Sequence, residues 1–436
     1  MKKNLGQELL KKAKKIIPGG NQLLSKRSEI FLPDQWPAYY SKAIGCSVWD
    51  LNKKHYYDFA GMGVTACTLG YADKTITRAV TKVFKTGQMV TLNAPEEVEL
   101  AKELIKIHPW SEMAKFCKSG GEACMVAIRI ARLFSSKEKI AFCGYHGWHD
   151  WYLSANLSDT KSLDGQLLPG LNPAGVSSSF KKSIFPFLYN DIDSLEKILK
   201  KNRIGIIIME PMRSREPKNK FLQKVRKLAN IYKCILIFDE ITSGFHDFFG
   251  GQHLKLRVTP DMAIFGKSIG NGYPISAILG KRKIMNMAQD TFISSTMWTD
   301  RAGFVAALET LKKMKKVNVQ KKLVYYGKII KKSWRMSAKK NFLKIEIGGL
   351  DSIPTFTFLY SNKLELATYF TQEMLKKGFL ANTTLATTYA FNIKILKKYL
   401  LAVDQVFEKI CALIKSNKKI PLMGPIKHVT FKRLTD

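Results

Sequence analysis

The sequence has no apolar stretch long enough to cross a bilayer. Its strongest apolar runs, Ile204–Met209 and Cys234–Phe238, have the length of strands, whereas a membrane-spanning helix needs about 20 apolar residues. No signal-peptide core is expected either, because lysines interrupt the apolar residues of Leu5–Ile17. The seven cysteines are scattered and form no CxxC pair. A disulfide framework is therefore not indicated, and we expect a reducing, cytoplasmic location.

Acidic residues are scarce. The chain has 35 Asp and Glu against 71 Lys and Arg, which leaves a net charge of +36. Such a balance is found in proteins that bind nucleic acids or other polyanions. The lysines are spread over the whole chain as pairs, however, and no RNA-binding or zinc-finger pattern is present. The distribution favours a solvated, lysine-rich surface, and a polyanion-binding protein remains the alternative from another class.

The length of 436 residues predicts two domains. We predict an N-terminal segment at 1–70 (a helix and a hairpin that join the small domain), a large domain at 71–320 and a smaller α+β domain at 321–436. In the large domain, short apolar strands alternate with helical stretches, which is typical of an α/β fold with a mainly parallel sheet. The predicted strands are Ala114–Cys117, Lys139–Cys143, Ile204–Met209, Cys234–Phe238, Met262–Phe265 and Ile275–Leu279.

Two carboxylates follow one of these strands. Asp239 and Glu240 come directly after the apolar run that begins at Ile235, and ligands of open α/β sheets collect at the carboxyl ends of strands. A carboxylate buried there needs a cationic partner. The alternative for Asp239 is a helix N-cap.

A lysine follows another strand. Met262–Phe265 leads into Gly266-Lys267 and a loop with further glycines. A buried lysine is costly unless its amine is neutral or covalently used, and a lowered pKa suits Schiff-base chemistry. A surface lysine in a turn is the alternative. A phosphate-binding P-loop is excluded, because position 261 holds Asp instead of the required Gly.

Two loops complete the set of candidate sites. Ser119-Gly120-Gly121 precedes a predicted helix, whose first N–H groups can bind a phosphate, although an ordinary turn would look the same. In the aromatic loop Gly144–Trp151, Tyr145 or Trp148 can stack on a flat ring. His146 and His149 in that loop suggest a metal alternative, but no further ligand pair supports it and we expect no metal. A phosphate anchor, a stacking ring, an acid and a lysine together indicate pyridoxal phosphate.

The chain resembles the class III, fold-type I pyridoxal-phosphate aminotransferases, and within them the glutamate-1-semialdehyde aminomutase group. The resemblance runs from about Lys12 to about Lys316 and is most specific at Gly266–Pro274. It implies a large domain with a mainly parallel, seven-stranded sheet and a smaller α+β domain built from both ends of the chain. The other matching motifs are Ala13–Gly20, Ser119–Ala123, Tyr145–Gly147, Glu210-Pro211, Phe238–Glu240 and Thr259–Asp261.

The resemblance also implies roles for single residues. Lys267 would form the aldimine with pyridoxal 5'-phosphate and move protons, and Asp239 would hold the pyridine nitrogen. Thr296 would reach the phosphate in a neighbouring subunit, so that a homodimer with shared active sites is implied. The remaining implied cofactor-binding residues are Ser119, Gly120 and Gly121 at the phosphate, Tyr145 and Ile241 on the two ring faces, and His146.

Several positions depart from the family pattern. Gly121 stands where Thr or Ser is usual, so one phosphate contact is lost. Lys26 and Arg27 are only approximate counterparts of the aminomutase arginine that binds a carboxylate. Glu210 and Arg213 are further substrate candidates, with a solvent-facing arginine as the alternative for Arg213.

Two more departures complete the comparison. Asp300-Arg301 replaces the usual Asn-Pro, and His246 replaces a common Arg. We therefore predict an aminotransferase with a small amino donor and a carbonyl acceptor, such as an amino-sugar or specialised-metabolite precursor. The alternative is a glutamate-1-semialdehyde 2,1-aminomutase, which moves the amine within one molecule.

Overall fold

The computed structural model describes residues 4–166 and 169–430. Its strands are β1 (Tyr40–Ile44), β2 (Ser47–Asp50), β3 (His55–Phe59), β4 (Met113–Cys117), β5 (Lys139–Cys143), β6 (Ile184–Pro186), β7 (Ile204–Met209), β8 (Ile235–Asp239), β9 (Met262–Phe265), β10 (Ser276–Gly280), β11 (Ile345–Gly349), β12 (Pro354–Phe358) and β13 (Phe379–Ala381). Its helices are α1 (Leu5–Ile16), α2 (Ser28–Phe31), α3 (Lys74–Thr86), α4 (Pro95–Ile107), α5 (Gly120–Ser135), α6 (Asp150–Leu153), α7 (Ile192–Lys201), α8 (Phe221–Ile231), α9 (Gln252–Lys255), α10 (Arg282–Met285), α11 (Arg301–Val317), α12 (Val319–Lys340), α13 (Lys363–Lys376) and α14 (Ile393–Lys415).

The chain divides into two compact units. One comprises the chain up to Asp73 together with the chain from Lys321 onward, and the other is Lys74–Gln320. Among the described residues, every helix is too short or too polar to cross a membrane.

The unit of Lys74–Gln320 is built on a seven-stranded sheet with the order β4-β10-β9-β8-β7-β5-β6. Strands β6, β5, β7, β8 and β9 run parallel to one another. Only β10 runs against its neighbours, β4 and β9. The prediction of a mainly parallel α/β sheet is therefore confirmed.

The central strand β7 shows why this sheet is covered on both faces. All six of its residues are buried, as expected of a strand with helices above and below it. Ile206 and Ile208 pack into the apolar cluster that contains the inner face of α5. Ile207 and Met209 point the other way, into the cluster formed with α8. Alternate side chains of one strand thus build two cores.

The unit formed by both ends of the chain has its own core. Its larger sheet has the order β1-β2-β3-β13, and β11 pairs with β12 as a hairpin. Helices α12, α13 and α14 contribute to one apolar cluster that contains Trp334, Phe370 and Phe407. The hairpin of β2 and β3 confirms the predicted one at Cys46–Phe59.

Candidate active site

The candidate site lies at one edge of the seven-stranded sheet. The loops after β4, β5, β7, β8 and β9 leave the sheet at this edge, because all five strands run in the same direction. Strand β10 runs the other way and therefore begins here, with Ser276 paired to Cys117. The hydroxyl of Ser276 donates to the carbonyl oxygen of Ser119 at 2.9 Å. The lysine loop between β9 and β10 is thereby fastened to the start of α5.

The start of α5 forms an anion cradle. Ser119 is its N-cap and forms a capping box with Glu122, whose carboxylate accepts the Ser119 N–H at 2.8 Å. Gly120 and Gly121 supply first-turn N–H groups that have no partner within the helix. A Cβ on Gly120 would lie 2.7 Å from Ile241 Cδ1, so any larger residue there would require the Ile241 side chain to shift. The cradle has the shape and polarity that a phosphate needs.

Lys267 is the second residue after β9. Its backbone has φ 47°, a left-handed conformation that is uncommon outside glycine and is concentrated at functional sites. Its amine donates to the hydroxyl of Thr242 at 2.9 Å. Burial lowers the pKa of this amine from 10.5 to about 8, the positive charge of Arg213 adds to the lowering, and Glu210 and Asp239 oppose it. A larger fraction of the amine is therefore neutral and nucleophilic than in an ordinary lysine.

Asp239, at the end of β8, is buried, and each of its carboxylate oxygens has a hydrogen-bond partner. Its Oδ1 accepts the N–H of Ile241 at 3.0 Å, and its Oδ2 lies 2.8 Å from His146 Nδ1. His146 Nε2 faces the carbonyl oxygen of Cys143 at 3.1 Å. Because that oxygen only accepts, a hydrogen bond at this position is donated by Nε2–H. The Asp239 carboxylate is thus flanked by the His146 ring and the N–H of Ile241, which are the partners that a buried acid requires.

A third group reaches the same carboxylate. The Cys124 thiol donates to Asp239 Oδ2 at 3.5 Å, and burial raises the pKa of this thiol well above its ordinary value. Ligand atoms of Cys124, His146 and Asp239 lie within 4.8 Å of one another, as in a metal site. The hydrogen bonds already account for this proximity. His149, which the metal alternative had paired with His146, does not belong to this cluster.

Glu210 and Arg213 form the wall of the site after β7. The Glu210 carboxylate accepts the N–H of Tyr145 at 3.1 Å, which fixes the aromatic loop. Arg213 Nη1 lies 3.3 Å from both Glu210 oxygens. The Arg213 side chain is only partly buried, and its charge acts on both Lys267 and Tyr145. The charge of Arg213 therefore influences the reactive amine, while its guanidinium is held by Glu210.

These residues fit pyridoxal phosphate. The cradle on α5, the buried acid on β8 and the lysine after β9 are linked through Ile241, which bonds to Asp239 and lies against Gly120 and Gly266. Sequence reasoning missed Thr242 and Cys124. The spacing of Cys124, one helical turn after Gly121, was the available signal for the second of these.

The remaining predicted residues lie elsewhere. Thr296 begins a short 3-10 turn, Thr296–Thr299, in the same unit as the site. Lys26 and Arg27 lie in the other unit, at the end of the turn Leu24–Lys26. Their assignment as substrate residues stays a prediction.

Known proteins match most of the chain. The family described as "Aminotransferase class-III" matches residues 33–392. A 3-aminobutyryl-CoA aminotransferase of Cloacimonas acidaminovorans is 32% identical over 360 residues, which cover 80% of this chain and 82% of that protein. A glutamate-1-semialdehyde 2,1-aminomutase of Methanocaldococcus jannaschii is 30% identical over 381 residues, which cover 85% of this chain and 86% of that protein.

Solved structures share the fold. An omega-transaminase from Sphaerobacter thermophilus has a TM-score of 0.83 at 22% identity, with 92% of this chain and 97% of that chain covered. A beta-phenylalanine aminotransferase from Variovorax paradoxus has a TM-score of 0.80 at 21% identity, with 94% and 95% covered. The predicted fold-type I architecture is confirmed by these structures.

Proposed function

Because this chain belongs to the class-III aminotransferase family and has pyridoxal phosphate as its cofactor, we propose that it transfers an amino group between two small molecules. The molecule that donates the amine is anionic. The observation that carries the proposal is the position of Arg213, which pairs with Glu210 and acts on the charge of Lys267. A guanidinium beside the reactive amine is suited to hold a carboxylate or phosphate of the substrate.

Each residue of the site has its own role in the proposed reaction. The bound cofactor supplies an electron sink for the carbon that carries the amine. Asp239 would keep the pyridine nitrogen protonated, with His146 and Cys124 holding its carboxylate. Lys267 would accept and return the proton at the reacting carbon, since its lowered pKa allows both directions near neutral pH. Tyr145 and Ile241 would enclose the ring, and Thr242 would orient the lysine amine.

Arg213→Gln tests the proposed donor class. We expect the half-saturating concentration of anionic amines to rise by about 10- to 100-fold, the range for a lost hydrogen bond to a charged group. Neutral amines should be unaffected. The measurement is the change in cofactor absorbance during titration with each donor, without any acceptor. Arg215→Gln is the matched control, because Arg215 is an exposed arginine two residues away. Equal losses for anionic and neutral amines would contradict the proposal.

Intramolecular transfer is the second candidate, because aminomutases cover more than four-fifths of this chain at about the same identity as the aminotransferase. An aminomutase turns over repeatedly with a single substrate, whereas an aminotransferase stops after one amine per site until a carbonyl acceptor is added. Product counted per site, with and without acceptor, separates the two. The intermolecular reaction is favoured because Lys26 and Arg27 are only approximate counterparts of the aminomutase arginine that binds a carboxylate.

A homodimer is also part of the proposal. Several apolar side chains of the large unit are exposed in two loops, namely Met89, Val90, Leu92, Phe292 and Met297. The loops that carry them meet where Arg301 N donates to Gln88 O. Trp298, next in the chain, donates to Glu122 at the start of α5. A second copy seated on this apolar patch would bring its Thr296 to the cofactor phosphate.

A cytoplasmic location is proposed on separate grounds. All seven cysteines are buried and unpaired, which suits a reducing compartment.

A further inference from the structure

His149 has a buried nitrogen without a partner beside the anion cradle. Its Nε2 is shielded from solvent and makes no hydrogen bond within the described part of the chain. Buried polar atoms in native proteins are nearly always hydrogen-bonded, so an orphaned one indicates a ligand or water that belongs there. The chemistry assigned above leaves His149 unused.

The orphaned nitrogen points at the glycine that departs from the family pattern. A Cβ on Gly121 would lie 3.1 Å from His149 Nε2 and 3.2 Å from its Cδ2. The imidazole therefore fills the space that a Thr or Ser side chain would need at position 121. A side chain at position 121 would require the imidazole to shift by a few tenths of an ångström.

The backbone of the aromatic loop is shaped for this approach. Gly147 has φ 100°, a left-handed conformation suited to glycine, and a Cβ there would lie 2.9 Å from Gly121 Cα. The His149 ring also stacks on Trp148, with centroids 4.6 Å apart and planes 15° apart. Two facing glycines and a stacked neighbour thus hold the imidazole over the first turn of α5.

We propose that His149 binds the cofactor phosphate through Nε2 and replaces the hydroxyl that Gly121 lacks. Nε2–H then donates to a phosphate oxygen that also accepts N–H groups from the first turn of α5. Burial lowers the pKa of His149 in the absence of a ligand, and a neutral ring still has one N–H to donate. The inference rests on the proposed function, since it needs pyridoxal phosphate in this site.

The test compares two ligands that differ only in the phosphate. The full-length chain is freed of cofactor and titrated with pyridoxal phosphate and with pyridoxal. For His149→Ala we expect the dissociation constant of pyridoxal phosphate to rise by about 10- to 100-fold. The constant for pyridoxal should change less than about twofold, because pyridoxal has no phosphate for the histidine to hold.

A double variant supplies the rescue. Gly121→Ser in the His149→Ala background restores a donor in the vacated space and should recover most of the affinity for pyridoxal phosphate. Gly121→Ser alone should weaken binding, because the new side chain meets the imidazole. His55→Ala, on a hairpin of the other unit, is the control. The 31P resonance of the bound phosphate should also move in His149→Ala.

Each other outcome has a defined meaning. Equal weakening of both ligands would show that His149 only supports the fold of the loop, and the inference would be wrong. An unchanged affinity for pyridoxal phosphate would also overturn it. If the unaltered chain bound neither ligand, the proposed function itself would fail.

Discussion

At the scale of single residues, the site is organised around charges that act on Lys267. Arg213 helps to lower the pKa of this amine, and Glu210 and Asp239 work in the opposite direction. A protonated amine cannot attack the aldehyde of the cofactor, so the rate at which cofactor-free enzyme takes up pyridoxal phosphate should rise with pH, with a midpoint near the pKa of about 8.

Arg213→Gln should move that midpoint upward. Removal of the positive charge makes protonation of Lys267 less costly, so the pKa of the amine rises and less of it is neutral at pH 8. The rate of cofactor uptake, followed by absorbance between pH 6 and 10, measures the shift. Arg215→Gln should leave the midpoint in place. A downward shift in Arg213→Gln would contradict the assignment of Arg213 as a charge that lowers the pKa of Lys267.

The sequence predicted the residues that carry obvious chemistry and missed those that support them. Lys267 and Asp239 stand at strand ends, where a pattern of apolar runs followed by a polar residue is visible. Thr242 and Cys124 reach the lysine and the acid only through the turn after β8 and the packing of α5. His149 was noticed only as a metal alternative, because its contact with Gly121 is made between the aromatic loop and the first turn of α5, which are distant in sequence.

At the scale of elements, helix α11 begins at the unusual Asp300-Arg301 sequence, and both side chains form stabilising contacts. Asp300 caps this helix by accepting the N–H groups of Ala302 and Gly303, and it pairs with the Lys118 amine at 2.7 Å. Arg301 pairs with Glu96 on α4 through two hydrogen bonds of 2.7 and 2.9 Å. The Asp-Arg sequence that departs from the family thus ties α11 to the strand β4 and to α4.

Two substitutions distinguish the contribution of the helix cap to stability from that of the ion pair with Lys118. Asp300→Asn keeps an N-cap oxygen but loses the charge that faces Lys118, and should lower the free energy of unfolding by about 1–2 kcal/mol. Asp300→Ala loses both and should cost about 1 kcal/mol more. Denaturant unfolding at pH 7 measures the two losses. Asp290→Ala, at an exposed carboxylate, is the control.

The same variants should behave differently in acid. Burial alone would raise the pKa of Asp300, but the bond from Lys118 outweighs it and lowers that pKa. The pair therefore stabilises the fold above the pKa that Asp300 has when unfolded, and this contribution is lost as the pH falls through the lower folded value. A cost of Asp300→Asn that persisted unchanged below that pH would contradict the ion-pair assignment.

Elements with a clear period were predicted well. β5, β7 and β9 have the predicted bounds, since each consists almost entirely of apolar residues and is followed by a turn. Helix α12 was not predicted, because lysines recur along its 22 residues and hide its buried stripe of Leu323, Ile330 and Trp334. The short strands β6 and β13, of three residues each, carry too little pattern to be recognised.

At the scale of the whole molecule, the net charge of +36 opposes association of two copies. The apolar patch has to overcome this repulsion, so the proposed dimer should tighten as salt rises from about 0.01 to 0.15 M and screens the charges. Sedimentation equilibrium at the two salt concentrations measures the change. A dimer that weakened with salt would indicate an interface of opposite charges instead of the apolar patch.

A single charged residue introduced into the apolar patch tests the proposed dimer more directly. Val90→Asp should shift the chain towards monomers and weaken its hold on pyridoxal phosphate, because the partner's Thr296 is withdrawn. Leu401→Asp is matched to it, as an exposed apolar residue on α14 in the other unit. If the dimer were lost while the affinity for pyridoxal phosphate stayed the same, dimer formation would not contribute to the cofactor site.

The reversed strand β10 has a consequence for synthesis on the ribosome. In the described part of the chain, β4 bonds to the rest of its sheet only through β10, whose sequence follows about 160 residues later. The seven-stranded sheet therefore cannot be completed on a nascent chain until Ser276–Gly280 has left the exit tunnel. We expect β4 to join the sheet late, after the parallel strands from β5 to β9, which pair with one another without β10.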